Sequence, residues 1–139
     1  MAIAVAVTSN TGGADPAAGL DSTRTSQIVE GTLTLTGSYG GAATHGDTVN
    51  FEIPQVISDL LPKKVEVFES PAAGTAALGY IYIFCPGTTL ANGVLQILGT
   101  GAASQDGGTE LTEASTYAGQ TPSLAGAVLR FKAWFAKNV

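Results

Sequence analysis

The stretch Ala127-Val-Leu-Arg-Phe-Lys-Ala-Trp-Phe-Ala136 decides the fold class. Leu129, Phe131, Ala133 and Phe135 alternate with Arg130, Lys132 and Trp134. A period of two is the mark of a strand with one buried face. The same reading extends to the rest of the chain. Residues 2–8 alternate Ile3, Val5 and Val7 with alanines. Gln27 to Thr36 sets Val29, Leu33 and Leu35 against a row of threonines, which reads as a half-wet face and is also flat enough for a contact. Thr48 to Ile53 places Val49, Phe51 and Ile53 inward, and Lys63 to Glu69 places Val65 and Val67 inward with Lys64, Glu66 and Phe68 outward.

Leu78 to Cys85 is apolar on both faces, so it reads as a central strand or one whose outer face a neighbour covers. Val94 to Leu98 follows, and Asn92-Gly93 is a turn signal, so 78–98 reads as a hairpin. Thr109 to Tyr117 is expected to be a further short strand. Prolines 54 and 62 leave no room between them for more than a turn or two of helix. Seven or eight short strands separated by turn residues predict an all-β sandwich or barrel. Residues 1–25 read as an N-terminal strand and extended arm, and 26–139 as a single β-sandwich domain. The connector after the first strand is long, which predicts that the arm reaches a neighbouring subunit or partner, with Ile3, Val5 and Val7 as anchors.

Composition narrows the function. The 139 residues are 45% hydrophobic and only 12% charged, with a net charge of −5. So little charge suits a surface that packs against other subunits rather than one wholly wetted. Six basic residues are too few for a protein that grips nucleic acid through its phosphates. No apolar run approaches a membrane span, and the apolar start lacks the basic residues of a signal sequence, so cytoplasmic synthesis without export is expected. The single cysteine, Cys85, permits no disulfide within the chain and reads as a small buried hydrophobe.

The catalytic vocabulary is sparse. His45, the only histidine, sits in a glycine-rich turn two residues from Asp47, with no nucleophile motif, and reads as a residue that bonds its own turn. One His and one Cys cannot make a zinc site. Asp106 to Glu113 carries too few acids in the wrong pattern for a calcium loop, and Glu110 with Glu113 lies too close in sequence for a glycosidase pair. No catalytic residue, cofactor or metal is expected. Trp134, Phe68, Tyr80 and Tyr82 are the aromatic candidates, better suited to an interface than to a sugar platform because Arg130 and Lys132 flank the tryptophan.

With the strands assigned, Gly79-Tyr-Ile-Tyr-Ile-Phe84, Asn92-Gly-Val-Leu-Gln-Ile-Leu98, Glu110-Leu111, Tyr117 and Val128 to Phe135 resemble the decoration, or cement, proteins of tailed-phage capsids. Gly46-Asp-Thr-Val-Asn-Phe51 fits the same pattern, so the resemblance spans roughly residues 46–136. It implies a jelly-roll-like β-sandwich, a homotrimer on the outer capsid surface, the major capsid protein as partner, and no catalysis. The residues expected at interfaces are Ile3, Val5, Val7, Phe68 and Trp134. The alternative is a carbohydrate-binding β-sandwich module on a tail or a secreted protein. It would need Trp134, Tyr80 and Tyr82 exposed together on one face.

Overall fold

A computed structural model describes residues 2–11, 26–40, 45–71, 77–99, 108–111, 115–120 and 122–136. The chain is all-β. Among the described residues the strands are β1 (Ala2–Thr11), β2 (Ser26–Thr34), β3 (Asp47–Val49), β4 (Pro62–Glu69), β5 (Ile81–Cys85), β6 (Gly93–Gly99), β7 (Thr109–Glu110) and β8 (Val128–Ala136), with a 3₁₀ turn at Tyr117–Gly119. They form one mixed sheet in the order β4-β8-β2-β1-β3-β6-β5, with β7 beside β6. β1 is shared by two half-sheets, pairing antiparallel with β2 and parallel with β3. The halves face each other over one core, and β4 and β5 approach at the far side, so the sandwich-like sheet nearly closes into a barrel.

The inward sets are those the alternation gives. Val29, Leu33, Leu35, Leu129, Phe131, Ala133 and Phe135 are all buried, and Val65 and Val67 pack against them. Phe51 sits between the halves, with its ring 5.6 Å from Phe84, 5.4 Å from Phe131 and 5.7 Å from Phe135. Gly31 lies under Phe131 in the middle of the sheet. A Cβ there would stand 2.0 Å from the Ala6 carbonyl oxygen and 2.7 Å from the Phe131 ring, so close approach of β1 and β2 requires glycine.

Several boundaries differ from the sequence reading, each for a local reason. β3 stops at Val49 because the Phe51 amide donates to the Leu90 carbonyl at 2.8 Å and the chain then turns at Ile53–Val56. Phe51 stays buried without belonging to a ladder. β5 begins at Ile81, not Leu78, because the Leu78 and Tyr80 amides donate to the Glu69 carboxylate at 2.6 and 3.4 Å. β5 ends the sheet rather than running through its centre, and its outer residues Ile81 and Ile83 are exposed. The β5–β6 connection is a longer loop than a two-residue turn. Asn92 braces it by accepting from the Thr89 amide at 2.8 Å, and Gly93 opens β6 where any side chain would strike the Phe84 ring. In place of a strand reaching Tyr117, β7 is two residues long and Tyr117 starts the 3₁₀ turn.

The first strand of the expected arm lies in the chain's own sheet. β1 is hydrogen-bonded on both edges within its own chain, and the connector 12–25 lies outside the described residues. Ile3 is in the core, and Val5 and Val7 pack against it. These three side chains anchor β1 in this sheet, where it pairs with β2 between Ala4 and Thr11 and with β3 at Ala2 and Ile3.

Three stability predictions follow from this packing. Phe131→Ala removes a ring held by both halves and is expected to cost about 3–5 kcal/mol, read from denaturant unfolding. Gly31→Ala is expected to cost about 1–3 kcal/mol through overpacking. Deleting residues 1–25 should abolish cooperative unfolding, since it removes the strand common to both half-sheets; a truncated chain that melts as sharply as the full one would contradict this topology.

Candidate interaction surface

The outer face of β2, β8 and β4 is built by register. Trp134 lies between Ile28 and Lys64, Lys132 between Glu30 and Glu66, and Arg130 between Thr32 and Phe68. The Lys64 and Lys132 ammonium groups sit 5.1 and 5.4 Å from the centre of the Trp134 ring, within cation–π range. Lys132 pairs with Glu30 at 2.8 Å and Lys64 with Glu66 at 2.5 Å. Such exposed pairs contribute about 0–1 kcal/mol each, so this lattice shapes the surface more than it stabilises the fold. Phe68, 46% exposed, stands at its edge beside Arg130. Of the sequence-selected interface residues, the structure therefore brings Phe68 and Trp134 to one outer face and places Ile3, Val5 and Val7 inside.

Sequence reasoning missed part of the exposed apolar surface. Ile81, Ile83, Val128, Leu60 and Leu61 are exposed as well. For Ile81 and Ile83 the signal was present, in a strand apolar on both faces. Phe68 and Ile83 both line a cleft of about 500 Å³ along the seam where β4 and β5 approach without pairing.

The aromatic platform that sugar binding needs is not assembled. Tyr80 and Tyr82 pack against the core from β5 and the segment before it, while Trp134 lies on the outer face of β8. The Tyr82 hydroxyl donates to Glu69 at 2.7 Å and the Tyr80 hydroxyl to the Pro122 carbonyl at 2.7 Å.

Around His45 the polar groups form clasps between elements. Tyr117 donates its hydroxyl to Asp47, and Tyr39 donates to Glu110 at 2.8 Å. The Tyr39 and Tyr117 rings meet edge to face at 6.5 Å. His45, at a left-handed φ of 47°, is exposed and its Nδ1 lies 4.0 Å from Glu110 Oε2. It faces Glu110 rather than Asp47, which is buried under Tyr117. Among the described residues no three His, Cys, Asp or Glu side chains gather as a metal site requires. Asp106 and Glu113 lie outside the described residues.

Burial pushes the Asp47 carboxyl upward, although the Tyr117 hydroxyl works against this by stabilising the charged form. Burial first, then the neighbouring carboxylates, pushes Tyr39, Tyr82 and Tyr117 well above the usual phenol range, and burial with Glu69 also raises Tyr80. No protein-family model, curated protein or solved structure matches this chain.

Two pH predictions follow. A carboxyl raised in the folded state gives a contribution that is complete below its unfolded value, about 3.8, and is lost as pH rises through the folded value. Asp47→Asn should therefore gain thermal stability relative to the wild type as pH rises from 4 to 7; parallel curves would show that Asp47 does not carry this charge penalty. A raised phenol contributes stability below its unfolded value, about 10, that is lost above it. Tyrosinate absorbance should thus appear only together with alkaline unfolding, and a separate earlier titration would contradict the clasps.

Proposed function

We propose that this chain is a non-enzymatic structural protein of a virion, which binds the outer surface of a phage capsid as a homotrimer and stabilises the shell. On this reading it is made in the host cytoplasm, and its partners are the major capsid protein and further copies of itself. The observation that carries the proposal is the outer face of β2, β8 and β4, where an exposed phenylalanine, an arginine and a lysine-flanked tryptophan lie together. Aromatic residues and arginine are the groups that dominate protein contacts, and a sheet face presents them on a backbone that is already ordered. The likeness of residues 46–136 to the decoration proteins and the 12% charge support the same reading.

Two measurements test it. Light scattering at micromolar concentration should give a mass near three times 14.0 kDa. Purified capsids stripped of this protein should bind it on co-sedimentation and withstand heat better for it. Trp134→Ala and Phe68→Ala should weaken that binding by about tenfold or more while leaving the fold intact. A monomer that leaves stripped capsids unbound would defeat the proposal.

A further inference from the structure

The outer face of β2 and β8 carries a hollow. Two register pairs, Glu30 with Lys132 and Thr32 with Arg130, stand on either side of the pair Gly31 and Phe131. Phe131 is buried and Gly31 has no side chain, so only backbone floors the space between them. On the β1 side, Thr8 is the extra residue of a bulge, set between Val7 opposite Gly31 and Ser9 opposite Glu30. A bulge bends its strand locally and re-aims a side chain. The Thr8 hydroxyl donates to the Glu30 carbonyl at 3.3 Å. On the β4 side the wall is Phe68, in register with Arg130. Together these residues line a cavity of about 330 Å³.

The lining holds three charged groups. Lys132 and Glu30 neutralise each other at 2.8 Å, and Lys64 beyond them is matched by Glu66. Arg130 is exposed and makes no ion pair among the described residues. One positive charge is therefore left over in the cavity, on a chain whose net charge is −5. A guanidinium is a rigid fork of N–H donors that fits a carboxylate through two parallel hydrogen bonds. Thr32, in register with Arg130, brings a hydroxyl that can donate to the same group. An apolar side chain packed on Phe68 would exclude water from this ion pair and strengthen it. The two charges of a phosphate exceed the one available, and Glu30 in the same wall repels the excess.

We infer that this cavity receives one carboxylate side chain of a partner protein, with an apolar neighbour of that residue packed on Phe68. The inference rests on the reading of this face as a protein contact under the proposed function, and it adds the chemistry that the partner's surface has to present.

Titration of the full chain with a capped dipeptide tests it. Glu-Leu at constant ionic strength, followed by NMR of the arginine side chains and the backbone amides, should shift the Arg130 Nε–H and Thr32 amide signals saturably. Gln-Leu, with the same shape and no charge, should leave them in place. Arg130→Gln should abolish the response and keep the melting transition, because Arg130 is exposed. Equal shifts with both dipeptides, no shift with Glu-Leu, or a larger response to inorganic phosphate than to Glu-Leu overturns the inference. On stripped capsids, Arg130→Gln should weaken binding by about tenfold or more, and Arg130→Lys should restore only part of it, since an ammonium lacks the fork. If Glu-Leu binds at Arg130 but stripped capsids take up no wild-type protein, the carboxylate site stands and the capsid proposal falls. If capsids bind Arg130→Gln as tightly as the wild type, the inference falls and the capsid proposal stands.

Discussion

The fold depends on one ring. Phe51 belongs to no strand, yet it touches Phe84 on one half-sheet and Phe131 and Phe135 on the other. A curled sheet fills the space that its curvature encloses with inward side chains. Phe51 adds to that filling from the chain between β3 and β4. The hydrogen bond from its amide to Leu90 fixes it there and ties the β5–β6 loop to the same point. Aromatic contacts of this kind add about 0.5–1.5 kcal/mol beyond the area they bury.

A second device appears three times. Tyr39 and Tyr117, with rings buried, and Tyr82, with its ring partly buried, each donate a hydroxyl hydrogen bond to a carboxylate on another element. Each pair satisfies two polar groups that would be costly to leave alone in the interior. Together they fasten the short and irregular parts of the chain to the sheet: the segment before β3, the 3₁₀ turn, β7 and the approach to β5. Asp47 and Glu110, both weighed above as parts of catalytic pairs, are hydrogen-bonded within the fold in this way.

The inner and outer faces of β2, β4 and β8 were legible because alternation is a local property, written into neighbouring residues. Trp134 and Phe68 could be placed on an outer face for that reason. The position of β1 was not legible. Ile3, Val5 and Val7 announce a strand, but nothing in them says that β3 will lie alongside in parallel. The clasps were equally hidden, since Tyr117 and Asp47 are 70 residues apart and Tyr39 and Glu110 are 71. Gln27 reads as a polar residue at a strand start, and only the loop folded over it reveals a buried side chain with two backbone partners. The end position of β5 escaped because two-sided apolarity describes a central strand and an exposed contact face equally well.

The seam between β4 and β5 sets how the molecule can move. Everywhere else around the wall, adjacent strands are joined by ladders of backbone hydrogen bonds. Across the seam, Glu69 accepts from the Leu78 and Tyr80 amides and the Tyr82 hydroxyl, so a single side chain does the work of a ladder rung. Parting the two edges breaks side-chain contacts and leaves each half-sheet whole. Local opening draws on such weak lines well below the free energy of global unfolding. The barrel is therefore built like a cuff with one fastening, able to spread along a fixed line while its lining stays packed.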